Sequence, residues 1–97
     1  MPTYVTLINW TEQGIKNFKD TTHRANDFTN SVEKVGGHVR ELVWTVGEYD
    51  IVCVVDFPSD EAATASLLQV GATGNIRTKT MRAFDAKQMA KVIELTS

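Results

Sequence analysis

Apolar and polar positions alternate over Thr3 to Trp10 (TYVTLINW) with the period of two that a β-strand imposes. Tyr4, Thr6, Ile8 and Trp10 fall on one face, and Thr3, Val5, Leu7 and Asn9 on the other. Both sets carry large apolar groups, so neither face suits water alone. Thr11 is placed to cap a following helix. From Gly14 the period lengthens: Ile15, Phe18, Thr22, Ala25, Phe28, Val32 and Val35 recur at spacings of three and four. This predicts one amphipathic helix of about six turns. Lys16, Lys19, His23, Asp27, Asn30 and Lys34 lie on its other side, and Gly36-Gly37 ends it in the left-handed backbone that glycine accepts.

Charges interleave in His38 to Val46 (HVRELVWTV), with Arg40, Leu42 and Trp44 on one face and Val39, Glu41 and Val43 on the other. Such charge is typical of an edge strand, where it discourages pairing with other sheets. Gly47-Glu48 reads as a hairpin turn. Asp50 to Phe57 (DIVCVVDF) is the most apolar stretch, with Ile51, Cys53, Val55 and Phe57 opposite Val52 and Val54. Pro58 stops it. Ser59 or Asp60 then caps a second helix over Glu61 to Val70, which ends in Gly71-Ala72-Thr73-Gly74. Asn75 to Phe84 (NIRTKTMRAF) alternates again and carries Arg77, Lys79 and Arg82, a second edge signature. Asp85 to Leu95 predicts a short closing helix with Met89, Val92 and Ile93 available to pack.

The element order is β-α-β-β-α-β plus a C-terminal helix, the split βαβ or ferredoxin-like pattern of the α+β class. It puts the first and third strands at the centre of an antiparallel sheet and the charged second and fourth at its edges. The 12 Thr, 11 Val and 5 Ile, 28 β-branched residues in all, fit a chain dominated by one sheet. Residues 1–97 read as a single domain. Two helices cover only one face of such a sheet, so the apolar residues on the other face call for a partner. A homodimer packed sheet against sheet is the simplest expectation.

Composition narrows the class further. With 42% hydrophobic and 23% charged residues, the 97-residue chain suits one folded, soluble domain. No apolar run approaches the roughly 20 residues needed to span a bilayer, so no membrane partner is expected. Met1 opens no basic-then-apolar leader, and Cys53 is the lone cysteine, which excludes a disulfide framework. Both point to a cytoplasmic location. Ten basic residues against twelve acidic ones give a net charge of −2, a poor balance for a nucleic-acid binder.

Candidate chemistry is sparse. His23 and His38 lack metal-ligand spacing and Cys53 sits mid-strand among apolar residues, so neither a metal nor a cofactor is expected. His38, opening a strand after two glycines, is a candidate proton donor or acceptor. Tyr4, Trp10, Trp44 and Tyr49 pair an apolar body with one polar group, the make-up of a pocket for a planar ligand. Converging edge-strand cations, Arg82 among them, would hold a carboxylate or phosphate. Tyr4, Trp10, Trp44, Tyr49 and Arg82 form the candidate ligand-binding set. Phosphate loops, dinucleotide fingerprints and Ser-His-Asp arrangements are absent from the sequence.

Gly47-Glu48-Tyr49-Asp50, taken with IVCVVDFPSDEAATA (Ile51 to Ala65) and GNIRTKTMRAF (Gly74 to Phe84), resembles the GYD domain family. The name reflects the residues standing here as Gly47, Tyr49 and Asp50. The likeness spans nearly the whole chain, including the opening YVTLINWTEQGIKNFKDT. It implies a dimeric α+β barrel, in which two ferredoxin-like sheets face one another. That superfamily includes cofactor-independent monooxygenases, haem-degrading enzymes, chlorite dismutase-like proteins and ligand-binding regulatory domains. No settled activity accompanies the GYD family, so no catalytic residue is carried over. In a structural role Gly47 would fit the turn, Asp50 would accept hydrogen bonds from the turn's backbone and Tyr49 would pack its ring. The preferred reading is a non-catalytic module holding a small planar or anionic molecule between sheet and helices. The alternative is a cofactor-independent enzyme acting on a phenolic or 1,3-dicarbonyl substrate. There His38 or Asp50 would be the general base and Tyr49 would hydrogen-bond the oxyanion. Haem binding through His38 is a third reading.

Overall fold

In a computed structural model describing Met1–Ser97, strand β1 (Thr3–Trp10) is followed by a short helix α1 (Glu12–Lys16) and a 3₁₀ turn (Phe18–Asp20). Helix α2 (Thr21–Lys34), strands β2 (His38–Trp44) and β3 (Ile51–Asp56), helix α3 (Asp60–Ala72), strand β4 (Ile76–Ala83) and helix α4 (Ala86–Glu94) complete the chain. The strands form one antiparallel sheet in the order β2-β3-β1-β4. This is the ferredoxin-like α+β arrangement, with the two doubly apolar strands at the centre and the charged ones at the edges.

Residues opposite one another in a ladder share a face. Tyr4 faces Val55, Thr6 faces Cys53 and Ile8 faces Ile51. These six are buried beneath α2 and α3, together with Phe28, Val32, Phe57 and Ala63. Caps hold the helices at their starts. The Thr11 hydroxyl accepts from the Gly14 N–H (3.1 Å), the Ser59 hydroxyl from the Ala62 N–H (3.1 Å), and Asp85 and Gln88 close a reciprocal capping box.

Three local features differ from the sequence expectation. The six-turn helix is broken into α1, the 3₁₀ turn and α2. The first turn is pinned to the start of β4, where the Thr11 N–H donates to the Asn75 carbonyl (3.0 Å) and the Thr11 hydroxyl to that of Gly74 (2.6 Å). A Cβ on Gly14 would lie 1.9 Å from the Asn75 carbonyl oxygen. A straight helix cannot touch that loop and also lie along the sheet, so the axis breaks at Asn17, whose side chain bonds back to the Gln13 carbonyl. Second, a bulge between Val39 and Glu41 shifts the register of β2. Val39 joins Leu42 and Trp44 on the helix-covered face, opposite Val55, Cys53 and Ile51. Arg40 is the extra residue and swings to Asp56 and Asp85. Third, β2 and β3 are joined by a longer loop than a two-residue hairpin, with Gly47 at φ +144° where a side chain is strained.

Only 14 of the 97 residues are buried, because one face of the sheet has no cover within the chain. On that face Val5, Leu7, Val52 and Val54 are half-buried, Val43 is 46% exposed and Met81 52%. Helix α4 is anchored at its start, where the Gln88 amide reaches the Thr3 hydroxyl (3.1 Å). Beyond that point Met89 and Ile93 are exposed. No helix is long and apolar enough to cross a membrane.

Candidate functional site

A cavity of about 50 Å³ lies between the covered face of the sheet and helices α2 and α3. Its walls are mostly apolar: Ile8 from β1, Phe28 from α2, Ile51 from β3, Val70 from α3 and Ile76 from β4. The periodicities of strand and helix aim these side chains at one volume. Towards the C-terminal end of β1 the wall becomes polar, with Trp10, Thr21, Arg24, Thr73 and Asn75. The cavity continues outward into a groove of about 210 Å³ between α2 and α3, and Arg24, Phe28, Val70 and Thr73 line both.

Two groups on this wall are electrostatically incomplete. The Trp10 indole N–H is buried and has no acceptor. A buried donor left unpaired costs on the order of 1–3 kcal/mol, a cost that an acceptor would relieve. Arg24 is half-buried and forms no ion pair; its guanidinium donates to the Gly14 carbonyl (3.2 Å). Several other polar groups on or beside the wall are engaged. Thr6 and Thr80 share a hydroxyl hydrogen bond (3.1 Å), the Thr21 hydroxyl accepts from the Trp44 indole (3.0 Å), and the Asn75 side chain accepts from Gln13 (2.9 Å).

The ligand-binding candidates divide among three places. Trp10 stands on the cavity wall. Trp44 is 42% exposed and touches Thr21 on that wall. Tyr4 and Arg82 belong to a separate cluster. The Tyr4 hydroxyl donates to Asp60, and the Arg82 guanidinium lies 5.6 Å from the Tyr4 ring centre and 4.6 Å from that of Phe84. The bond to Asp60, with burial, raises the Tyr4 pKa, so the phenol keeps its proton. Tyr49 lies beneath Lys79, whose ammonium is 5.8 Å from the ring centre.

The candidate catalytic residues do not form one site. His38 stands opposite Asp56 at one end of β3, and Asp50 precedes the other end. Six strand residues separate these ends, about 20 Å at the usual rise. The Asp50 carboxylate accepts from the Trp10 backbone N–H (2.9 Å), while its own N–H donates to the Ile8 carbonyl (2.9 Å). Its carboxylate therefore extends the β1–β3 ladder instead of bonding its own turn, which its carbonyl closes by accepting from the Thr45 N–H (2.9 Å). Cys53 is fully buried, and burial pushes its thiol up to about 11. A thiol so protonated is no nucleophile.

Arg24 is a charged wall residue that the sequence reading passed over. Its signal was its spacing: it stands one helical turn from Phe28 on α2, a cation at the rim of the apolar stripe.

The model describing the GYD domain matches residues 4–93. No curated protein matches the sequence. Among solved structures, the fold is similar to a feast or famine regulatory protein, Rv3291c, from M. tuberculosis complexed with L-methionine. The TM-score is 0.66 at 17% identity, and the match covers 89% of this chain and 52% of that one. A mutant of Rv3291c matches with the same TM-score, identity and coverage. The chain thus spans about half the length of these structures, and the likeness is one of fold.

Proposed function

The chain belongs to the GYD domain family, and from that premise we propose that it is a non-catalytic small-molecule-binding or regulatory module acting as a homodimer. The observation that carries the reading is the cavity under α2 and α3 with an unsatisfied indole donor on its wall. An apolar pocket with one or two unmatched polar groups is the usual form of a small-molecule site. The similar fold of a regulatory protein complexed with L-methionine agrees with a binding role. The enzyme reading has less support, because His38 and Asp50 stand at opposite ends of β3 and Asp50 is held by the Trp10 backbone. Haem binding has less still, since His38 is exposed on an edge strand and is not part of the cavity wall.

The homodimer rests on the uncovered sheet face. A second copy would cover Val5, Leu7, Val52 and Val54 with their own equivalents. Glu41 on the β2 edge shares that face with Lys79 on the β4 edge, so stacking that opposes the two edges pairs unlike charges.

Native mass spectrometry of gently purified protein tests the binding role. Wild type is expected to carry a small-molecule adduct that Val70→Trp, which fills the cavity, loses. An adduct retained by Val70→Trp would move the site elsewhere and remove this reading's support.

A further inference from the structure

Resting on the reading above, we propose that the ligand is a small monocarboxylate with a short aliphatic tail. Its carboxylate would be held by the Trp10 indole N–H and the Arg24 guanidinium. Size sets the tail. An engineered cavity of about 150 Å³ takes benzene in a well-studied case, and this cavity is smaller, about 50 Å³. The inner volume therefore takes only a short aliphatic tail, with the rest of the ligand toward the groove. The residues at the inner end, Ile8, Phe28, Ile51 and Ile76, offer only apolar surface to that tail.

Charge and hydrogen bonding set the head group. Trp10 and Arg24 converge on one junction of the fold. The residue after Trp10 bonds the Asn75 carbonyl, and Trp10 itself faces Ile76 in the β1–β4 ladder. Arg24 is tied to the Gly14 carbonyl, and Gly14 packs directly on Asn75. The two unmatched groups are both donors, and one carries a positive charge with no carboxylate partner. A neutral ligand would leave that half-buried charge uncompensated; a carboxylate completes both groups with charge-assisted bonds. The one acid in the outer groove, Asp27, makes no ion pair with Arg24 and lies 3.5 Å from the exposed His23. A single guanidinium matches a monoanion better than a dianionic phosphate. The outer groove leaves a path for the ligand to enter.

The test compares two molecules of one skeleton, isovalerate and 3-methylbutanol. Indole N–H signals of ¹⁵N-labelled protein number two, from Trp10 and Trp44, and Trp44→Phe assigns them. Isovalerate is expected to move the Trp10 indole signal saturably and to bind about tenfold or more tightly than the alcohol, the usual worth of one charged hydrogen bond. Arg24→Gln should bring the acid down to the level of the alcohol, and Arg24→Lys should restore part of the difference. The carboxylate assignment is overturned if acid and alcohol bind wild type equally, or if Arg24→Gln keeps the preference for the acid; the cavity as a site survives that result. If neither molecule gives a saturable shift, the binding role itself is overturned along with its ligand.

Discussion

Asp56 is 8% exposed, and burial opposes its charge, yet its carboxyl is held below the usual range. The Thr3 hydroxyl at 2.6 Å and the Arg40 guanidinium at 2.8 Å outweigh the desolvation. Asp85 is lowered first by the Gln88 backbone N–H and then by Arg40. Each folded-state value lies below the unfolded one, so each carboxylate adds stability that is full above about pH 4 and is lost as pH falls through the folded value. Melting temperature is therefore expected to drop below about pH 4, and Arg40→Gln to lower it at neutral pH while flattening the acid fall. Thermal melts from pH 2 to 7 check this. Cys53, fully buried with its thiol pushed up, should not react with a thiol reagent until the protein unfolds. These roles were partly legible in the sequence. The alternation of β3 placed Cys53 in the core, but the pairing of Arg40 with Asp56 needed the bulge, which no single strand's pattern reveals.

At the scale of elements, strands and caps follow from local sequence because their causes are local: period-two alternation, Thr11, Ser59 and Asp85. The broken first helix does not, since its apolar period runs unbroken through Asn17. Its cause lies some sixty residues away, in the contact of Gly14 with Asn75. Gly14→Ala is expected to destabilise by about 3 kcal/mol, because its Cβ would enter the carbonyl oxygen of Asn75 and the strand start would have to move. Gly71→Ala, in α3 with open space around the added methyl, should instead stabilise by up to about 1 kcal/mol. Denaturant titration of the two variants separates a packing requirement from mere glycine flexibility.

On the scale of the whole molecule, the chain measures 51 × 30 × 17 Å, a thin layer with α2 and α3 on one side of the sheet. That shape follows from element count, which the sequence carries, and it motivates the second copy. Sedimentation at micromolar concentration is expected to give twice the chain mass, and Val54→Lys on the uncovered face to give monomers. The cavity was less legible, because its walls come from six separate elements and its polar end depends on Arg24 reaching Gly14, which packs on Asn75. The measurement that bears most directly on the proposed binding role is a ¹⁵N–¹H map of backbone shifts during titration with 3-methylbutanol, which needs no carboxylate. Saturable shifts confined to the walls, around Ile8, Trp10, Phe28, Ile51, Val70 and Ile76, are the expected result. Absence of saturable shifts, or shifts concentrated on Val5, Leu7 and Val54 of the uncovered face, would contradict it.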